Sequence, residues 1–300
     1  MIQCFAPAIE NSLLKSAKLR LISASKMDSG YKLIHPRVLH KHERFLEILY
    51  VRSGTGIYIV DNERYLVSKG DIIINNANAL HDEDPGSNNN LNMYCLMIAD
   101  FQIEGLPPNC LLSPGALPVF SAEEHADKVE TLMSMIYVML ATEPEACAEA
   151  CHYLTAALLA QLLMLTRRET FQKGKNHTRT NHDIIAARVK NYIDSHYDEH
   201  FTLKDISHEI CVSPYYLSHI FKKATGFSPM HYATRRRLGE AQSLLIMTGK
   251  PITEIALSIG FGSQCQFYNI FKKYIGMSPG KYRETYSNHR LQSLKHTEIL

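Results

Sequence analysis

The sequence predicts a two-part α+β chain: a β-rich N-terminal half folded as a small barrel with two helices appended, then an all-helical C-terminal domain. Three observations predict it. Short apolar, β-branched and aromatic runs punctuated by turn residues fill residues 45–99. Helical periodicity takes over at Ser121. A block of residues then recurs at an offset of 50 within the last third of the chain. The length of 300 residues suits about two domains, and 45% hydrophobic with 21% charged residues excludes a disordered or collagen-like chain.

The N-terminal residues Glu10, Asn11, Lys15, Lys18 and Arg20 fall where a secretory signal needs an unbroken apolar run, so nothing there directs export. Phe45–Val51 and Gly56–Val60 read as strands joined across Arg52-Ser53-Gly54-Thr55. Arg64–Val67, Ile72–Ile74 and Leu91–Ala99 follow, with turns at Asp61-Asn62-Glu63 and Gly70-Asp71. This spacing suggests a compact barrel or sandwich. Pro107, Pro108, Pro114 and Pro118 mark a connecting region.

Ser121-Ala-Glu-Glu has the spacing of a capping box, opening a first helix through Leu140. A second helix over about 146–167 carries leucines on more than one face, which suggests a dimer surface. Its most apolar stretch, Tyr153–Leu165, is shorter than the roughly 20 residues a bilayer span needs, so no membrane is expected. Gln172–Asn181 is polar and basic and reads as a linker. The domain reading is therefore a barrel over 1–120, a helical dimerisation or cover segment over 121–169, a linker over 170–182, a helical domain over 183–286 and a tail over 287–300. Seven cysteines without a Cys-x-x-Cys pair indicate neither a disulfide framework nor a thiolate zinc site, as suits a reducing compartment.

The repeat is the most specific signal. Ile220-Phe-Lys-Lys223, Gly226, Ser228-Pro229 and Tyr232 recur as Ile270-Phe-Lys-Lys273, Gly276, Ser278-Pro279 and Tyr282. Each copy has a helix-turn-helix layout. In the first, Thr202 with Asp205 caps a helix packed by Leu203, Ile206 and Ile210; Cys211-Val212 turns the chain, and Ser213-Pro214 opens a second helix that Gly226 ends. In the second, Pro251 starts a helix packed by Ile252, Ile255, Ala256 and Ile259. Gly260-Phe261-Gly262 turns it, and Ser263 with Gln266 opens its partner. Between the copies Ser228-Pro229 caps a long helix to about Thr248, with Gly249 ending it. Two such units held one DNA turn, or ~34 Å, apart could enter successive major grooves. The charge agrees: residues 181–300 hold 15 Lys+Arg against 10 Asp+Glu, and residues 1–180 hold 17 against 20.

Over about Ile184–Tyr286 the sequence resembles the AraC/XylS family of transcription regulators, most specifically in Ile252-Thr-Glu-Ile-Ala256, Gly260-Phe261, Phe267, Phe271-Lys-Lys273, Gly276, Ser278-Pro279 and Tyr282-Arg283. The resemblance places base-facing positions on Tyr215, Ser218 and His219 in the first recognition helix and on Gln264, Cys265, Tyr268 and Asn269 in the second. Many members carry Arg where this chain has His219 and Asn269, so guanine reading by a bidentate Arg is not expected there. Lys222, Lys223, Lys272, Lys273 and Arg235, Arg236 and Arg237 are the candidates for phosphate contact.

His40-x-His42, Glu47, Gly54, Gly70-Asp71 and His81 resemble the motif pair of a cupin barrel, which many AraC-type regulators use to sense an effector. Arg37, His40, His42, Glu47 and His81 are the effector-pocket candidates, suited to a hydroxylated ligand such as a sugar. His40, His42, Glu47 and His81 also have the make-up of an iron, manganese or zinc site. The Pro and Gly expected before the last histidine are replaced by Asn76-Ala-Asn-Ala-Leu80, and the pocket reading is adopted, with no metal and no cofactor expected. The resemblance implies a cytoplasmic, effector-responsive DNA-binding regulator, an activator rather than an enzyme. Its implied partners are double-stranded DNA, a small-molecule effector, RNA polymerase and a second copy of itself. The rival reading is a metal-dependent cupin enzyme with an accessory helical domain.

Overall fold

The computed structural model describes residues 19–28, 38–61, 63–83, 90–170 and 181–294. The N-terminal half has eight strands: β1 Arg20–Met27, β2 Leu46–Ser53, β3 Thr55–Val60, β4 Glu63–Ser68, β5 Asp71–Asn75, β6 His81–Glu83, β7 Asn92–Ala99 and β8 Val119–Ser121. They form two sheets, a five-stranded one in the order β1-β7-β2-β5-β8 and a three-stranded one in the order β4-β3-β6. The expected β domain is therefore present as two packed sheets whose strands do not close into one barrel.

Strand alternation decides which side chains meet. Leu46, Ile48 and Tyr50 of β2, Ile72 and Ile74 of β5, and Leu96 and Ile98 of β7 face a core shared with two helices, α1 Ala126–Thr142 and α2 Ala148–Thr170. Leu49 and Val51, Ile73, and Met93 and Cys95 take the opposite face and pack on Tyr58 and Val60 of the small sheet. Glu47 and Asn75 share the parity of this inner face and lie opposite each other in the β2–β5 register. A carboxylate and an amide are thus placed between two sheets by the period-2 rule alone.

The chain does not enter α1 at Ser121. Glu123 has φ +46° and its amide donates to Ser121 Oγ at 3.2 Å, so a 3₁₀ turn over Glu123–His125 precedes the helix. By length and composition α2 could cross a membrane, but its Leu158, Leu159, Leu162, Leu163 and Leu165 are buried in the sheet–helix core.

The C-terminal half holds α3 Asn181–His196, α4 Leu203–Ile210, α5 Pro214–Thr225, α6 Pro229–Met247, α7 Ile252–Ser258, α8 Gln264–Ile275 and α9 Pro279–Leu294. The predicted caps form. Thr202 and Asp205 make a full capping box, and Ser213 Oγ accepts from the Tyr216 amide ahead of Pro214. Gly226 and Gly276 end the two recognition helices with φ +82° each. Ser263 caps α8, but Gln266 reaches past it to the Gly262 amide at 3.2 Å. Thr248, in extended conformation, ends α6 in place of the expected Gly249. At the second turn Gly260 has φ +81°, and a Cβ there would lie 2.7 Å from the Tyr197 carbonyl oxygen, so the turn admits only glycine. Ser213→Ala removes one cap from a recognition helix and is expected to cost about 0.5–2 kcal/mol, measurable as a lower denaturant midpoint at unchanged slope.

Two cores fill the helical half, one around Phe221, Leu217 and Ile206, the other around Phe267, Phe271 and Ile255. The β domain reaches into both. Leu39 and Leu80 join the first core and Val38 the second. The Val38 amide donates to Gln242 Oε1 at 3.1 Å, and Asp82 of β6 forms a buried ion pair with Arg235 of α6. Along α6, Gly239 sits so close to residue 39 that a Cβ would overlap the Leu39 carbonyl oxygen and lie 2.8 Å from its carbon.

Candidate nucleic-acid interface and sensor cavity

Helix α5 buries Leu217, Ile220 and Phe221 and turns Tyr215 and His219 to solvent, Tyr215 being 84% exposed; Ser218 is half-buried beside them. Helix α8 buries Phe267 and Phe271 and exposes Gln264, Cys265 and Asn269, with Tyr268 half-buried. The two helices therefore present polar, hydrogen-bonding faces at equivalent positions. On α8 the Thr253 hydroxyl donates to Gln264 Oε1 at 3.0 Å, so paired contacts to an adenine edge require Gln264 to exchange that bond. Lys222, Lys223, Lys272 and Lys273 are exposed in the last turns, where a cation also suits the carbonyl end of a helix.

The expectation that Arg235, Arg236 and Arg237 face phosphates is corrected by their packing. Arg235 and Arg236 are 4% and 2% exposed. Arg235 pairs with Asp82 and lies over the Phe227 ring at 5.0 Å. Arg236 bonds Glu240 at 3.1 Å and stacks on Tyr197 at 4.2 Å. Arg237 donates to the carbonyls of Tyr197 and Glu199 at 2.6 and 2.7 Å. A run of three arginines reads as a basic patch in sequence, yet here it ties α6 to its neighbours.

In the β half, Arg37 lies outside the described residues. The other four pocket candidates come together. His40 bridges His81 through paired backbone hydrogen bonds of 3.1 and 2.9 Å, and the His42 carbonyl accepts from the Asn78 amide at 2.7 Å. Ring centroids stand 4.9 Å apart for His40–His42, 4.3 Å for His40–His81 and 5.3 Å for His42–His81. Glu47 Oε2 is 2.8 Å from His81 Nε2 and accepts from Asn75 Nδ2 at 2.9 Å; Cys95 Sγ donates to Glu47 Oε1 at 3.2 Å. Burial opposes the Glu47 charge, but the imidazoles of His81, His42 and His40 outweigh it and hold the carboxyl well below the usual range. Burial, then the Glu47 charge, pushes the Tyr58 phenol well above its usual value.

A cavity of about 240 Å³ opens beside this cluster. His40, Glu47, Tyr58 and Cys95 line it from the sheets, and Ile246, Tyr282 and Tyr286 line it from α6 and α9. Asp82 lines it too, so one residue borders the cavity and pairs with the helical half. Sequence reasoning missed the helical lining, Asn75, Cys95 and the Asp82–Arg235 pair. Parity on β2 and β5 could have found Asn75; no local signal marks the others.

Comparison with known proteins adds two domain matches. An AraC-like ligand binding domain covers residues 32–163, and a helix-turn-helix domain covers residues 206–285. The uncharacterised HTH-type transcriptional regulator YdiP of Escherichia coli K12 is 25% identical over 291 residues, spanning 95% of this chain and 93% of that protein. In its domain content the chain is similar to AraC-type transcription regulators. This AraC-type chain is likewise 26% identical to the HTH-type transcriptional activator RhaS of Enterobacter sp. strain 638, over 81% of itself and 86% of RhaS. It is 31% identical to the melibiose operon regulatory protein of E. coli K12 over 39% of itself and 38% of that protein. As an AraC-type regulator it joins a DNA-binding helix-turn-helix domain to a ligand-binding domain.

Proposed function

We propose that this regulator reads two adjacent half-sites on double-stranded DNA with one chain, and activates transcription in response to a small molecule held in the cavity. The observation that carries the reading is the duplicated exposed face of α5 and α8, whose two helix-turn-helix units, α4–α5 and α7–α8, are joined by α6. Tyr215, Ser218 and His219 read one half-site and Gln264, Cys265, Tyr268 and Asn269 the other. Lys222, Lys223, Lys272 and Lys273 hold phosphates. Hydroxyl, carboxylate and imidazole groups in the cavity suit a hydroxylated effector such as a sugar. The exposed Met135, Val138 and Tyr153 on α1 and α2 support a homodimer, which would set two such readers side by side. The protein acts in the cytoplasm, without an enzymatic step, by contact with RNA polymerase.

Selection of the purified chain against random double-stranded DNA at ~150 mM salt tests this, because nonspecific phosphate binding is suppressed there. A bipartite motif with halves one helical turn apart is expected; enrichment of a single undivided motif would refute two-headed reading. On the selected site, Lys272→Ala with Lys273→Ala is expected to weaken binding on all sequences alike. The dependence of log affinity on log salt should flatten by about 0.9 for each phosphate that is no longer neutralised.

A further inference from the structure

We propose that His40, His42, His81 and Glu47 bind one divalent first-row transition ion at the wall of the cavity. The ligand atoms of the three histidines all lie within 4.8 Å of one another, and all three side chains are buried. Bonds of about 2.0–2.1 Å to one ion set two nitrogens at most ~4.2 Å apart, so a small closure of the rings completes the set. Glu47 Oε2 already stands 2.8 Å from His81 Nε2. An ion takes the place of the proton that joins those two atoms, and the proton leaves to solvent.

The surroundings orient the rings as a metal requires. His40 Nδ1 bonds the Val38 carbonyl and His81 Nδ1 the Ala79 carbonyl, each at 2.9 Å. A carbonyl only accepts, so both rings carry a proton on Nδ1, which leaves Nε2 as the coordinating atom once His81 gives up the second proton it shares with Glu47. Carbonyl bonds of this kind fix metal-binding imidazoles. Asn75 and Cys95 orient the carboxylate in the same way. Three neutral nitrogens and one anionic oxygen suit Fe²⁺, Mn²⁺, Ni²⁺ or Zn²⁺ better than the all-oxygen preference of Ca²⁺ or Mg²⁺. Because His40 and Glu47 also line the cavity, the ion would sit at the wall of the space assigned to the effector, where it would supply a Lewis-acidic contact for an oxygen donor.

The test is metal uptake by the tag-free full-length chain, independent of any DNA readout. Protein stripped with chelator is dialysed against Mn²⁺, Fe²⁺ under anaerobic conditions, Ni²⁺ and Zn²⁺ in turn, and bound metal is counted per chain by mass spectrometry. One equivalent of at least one ion, with a raised melting temperature, is expected. His42→Ala should cut the uptake at least tenfold at the same free ion. Glu47→Gln, which keeps the side-chain shape and so guards against a folding failure, should weaken binding too, and Asn75→Ala should weaken it by about ten- to a hundredfold. Cys147→Ser with Cys151→Ser should leave uptake unchanged. Failure of the natively folded chain to take up any of the four ions overturns the proposal, as does full uptake by both His42→Ala and Glu47→Gln.

Discussion

Asp82→Ala is expected to separate the β half from the helical half while leaving both folded. Arg235 is 4% exposed and Asp82 5%, and the pair bridges 153 positions of sequence. Removing the carboxylate strands a guanidinium in a space from which water is excluded, at a cost of about 3–5 kcal/mol while the halves stay docked. The cost disappears if Arg235 reaches solvent, and two routes lead there. Unfolding the helical half sacrifices the cores around Phe221 and Phe271, in which many side chains are fully buried at roughly 1.5–3 kcal/mol each. Among the described residues, undocking sacrifices the insertion of Val38, Leu39 and Leu80, the Val38–Gln242 hydrogen bond and the shared lining of the cavity, a smaller set of buried side chains. Undocking is the cheaper route. Small-angle scattering should show a larger radius of gyration at unchanged far-UV circular dichroism, and calorimetry should split one transition into two. A single transition at lower temperature with unchanged radius would show that the pair stabilises one half rather than joining two.

How much of this was legible in sequence depends on the range of the interaction. Caps, turns and the duplicated helices follow from residues three to five apart, which is why Thr202, Ser213, Gly226 and Gly276 took their expected places. Strands β2, β3, β4, β5 and β7 declared themselves by apolar runs. β1 escaped notice because RLISASKM alternates weakly and is a strand through its pairing with β7 some 70 residues on. β6 and β8, three residues each, have too few side chains for a period. The histidine cluster was readable as a set because His-x-His on an extended segment and a later Glu and His carry their own chemistry. The meaning of Arg235, Arg236 and Arg237 was not: whether an arginine meets a phosphate or an aspartate 153 residues earlier depends on which surface docks there, and no local pattern encodes that.

Gly239→Ala tests the same docking from the helix side, and its two effects have opposite sign. Within α6 an alanine is a better helix former than glycine by about 1 kcal/mol, so the helical half alone gains stability. In the docked chain the new methyl would overlap the Leu39 carbonyl oxygen and stand 3.2 Å from His40 Cβ. These obstacles are backbone and near-backbone atoms of the segment that positions His40 and His42, so no side-chain rotation relieves them. The docking seen here is therefore closed to Gly239→Ala, and the halves must part. The reading faces of α5 and α8 are exposed while the halves are docked, so undocking uncovers nothing they need. Intrinsic affinity of Gly239→Ala for the selected operator is therefore expected to match the parent within about twofold, roughly 0.4 kcal/mol. Coupling is a difference in docking between effector-bound and effector-free states, and a chain that cannot dock has no such difference to transmit. Any effector that shifts the parent's operator affinity should leave that of Gly239→Ala unchanged. Retention of the full shift would place the coupling in the pairing of two chains through α1 and α2, because that route does not pass through Gly239.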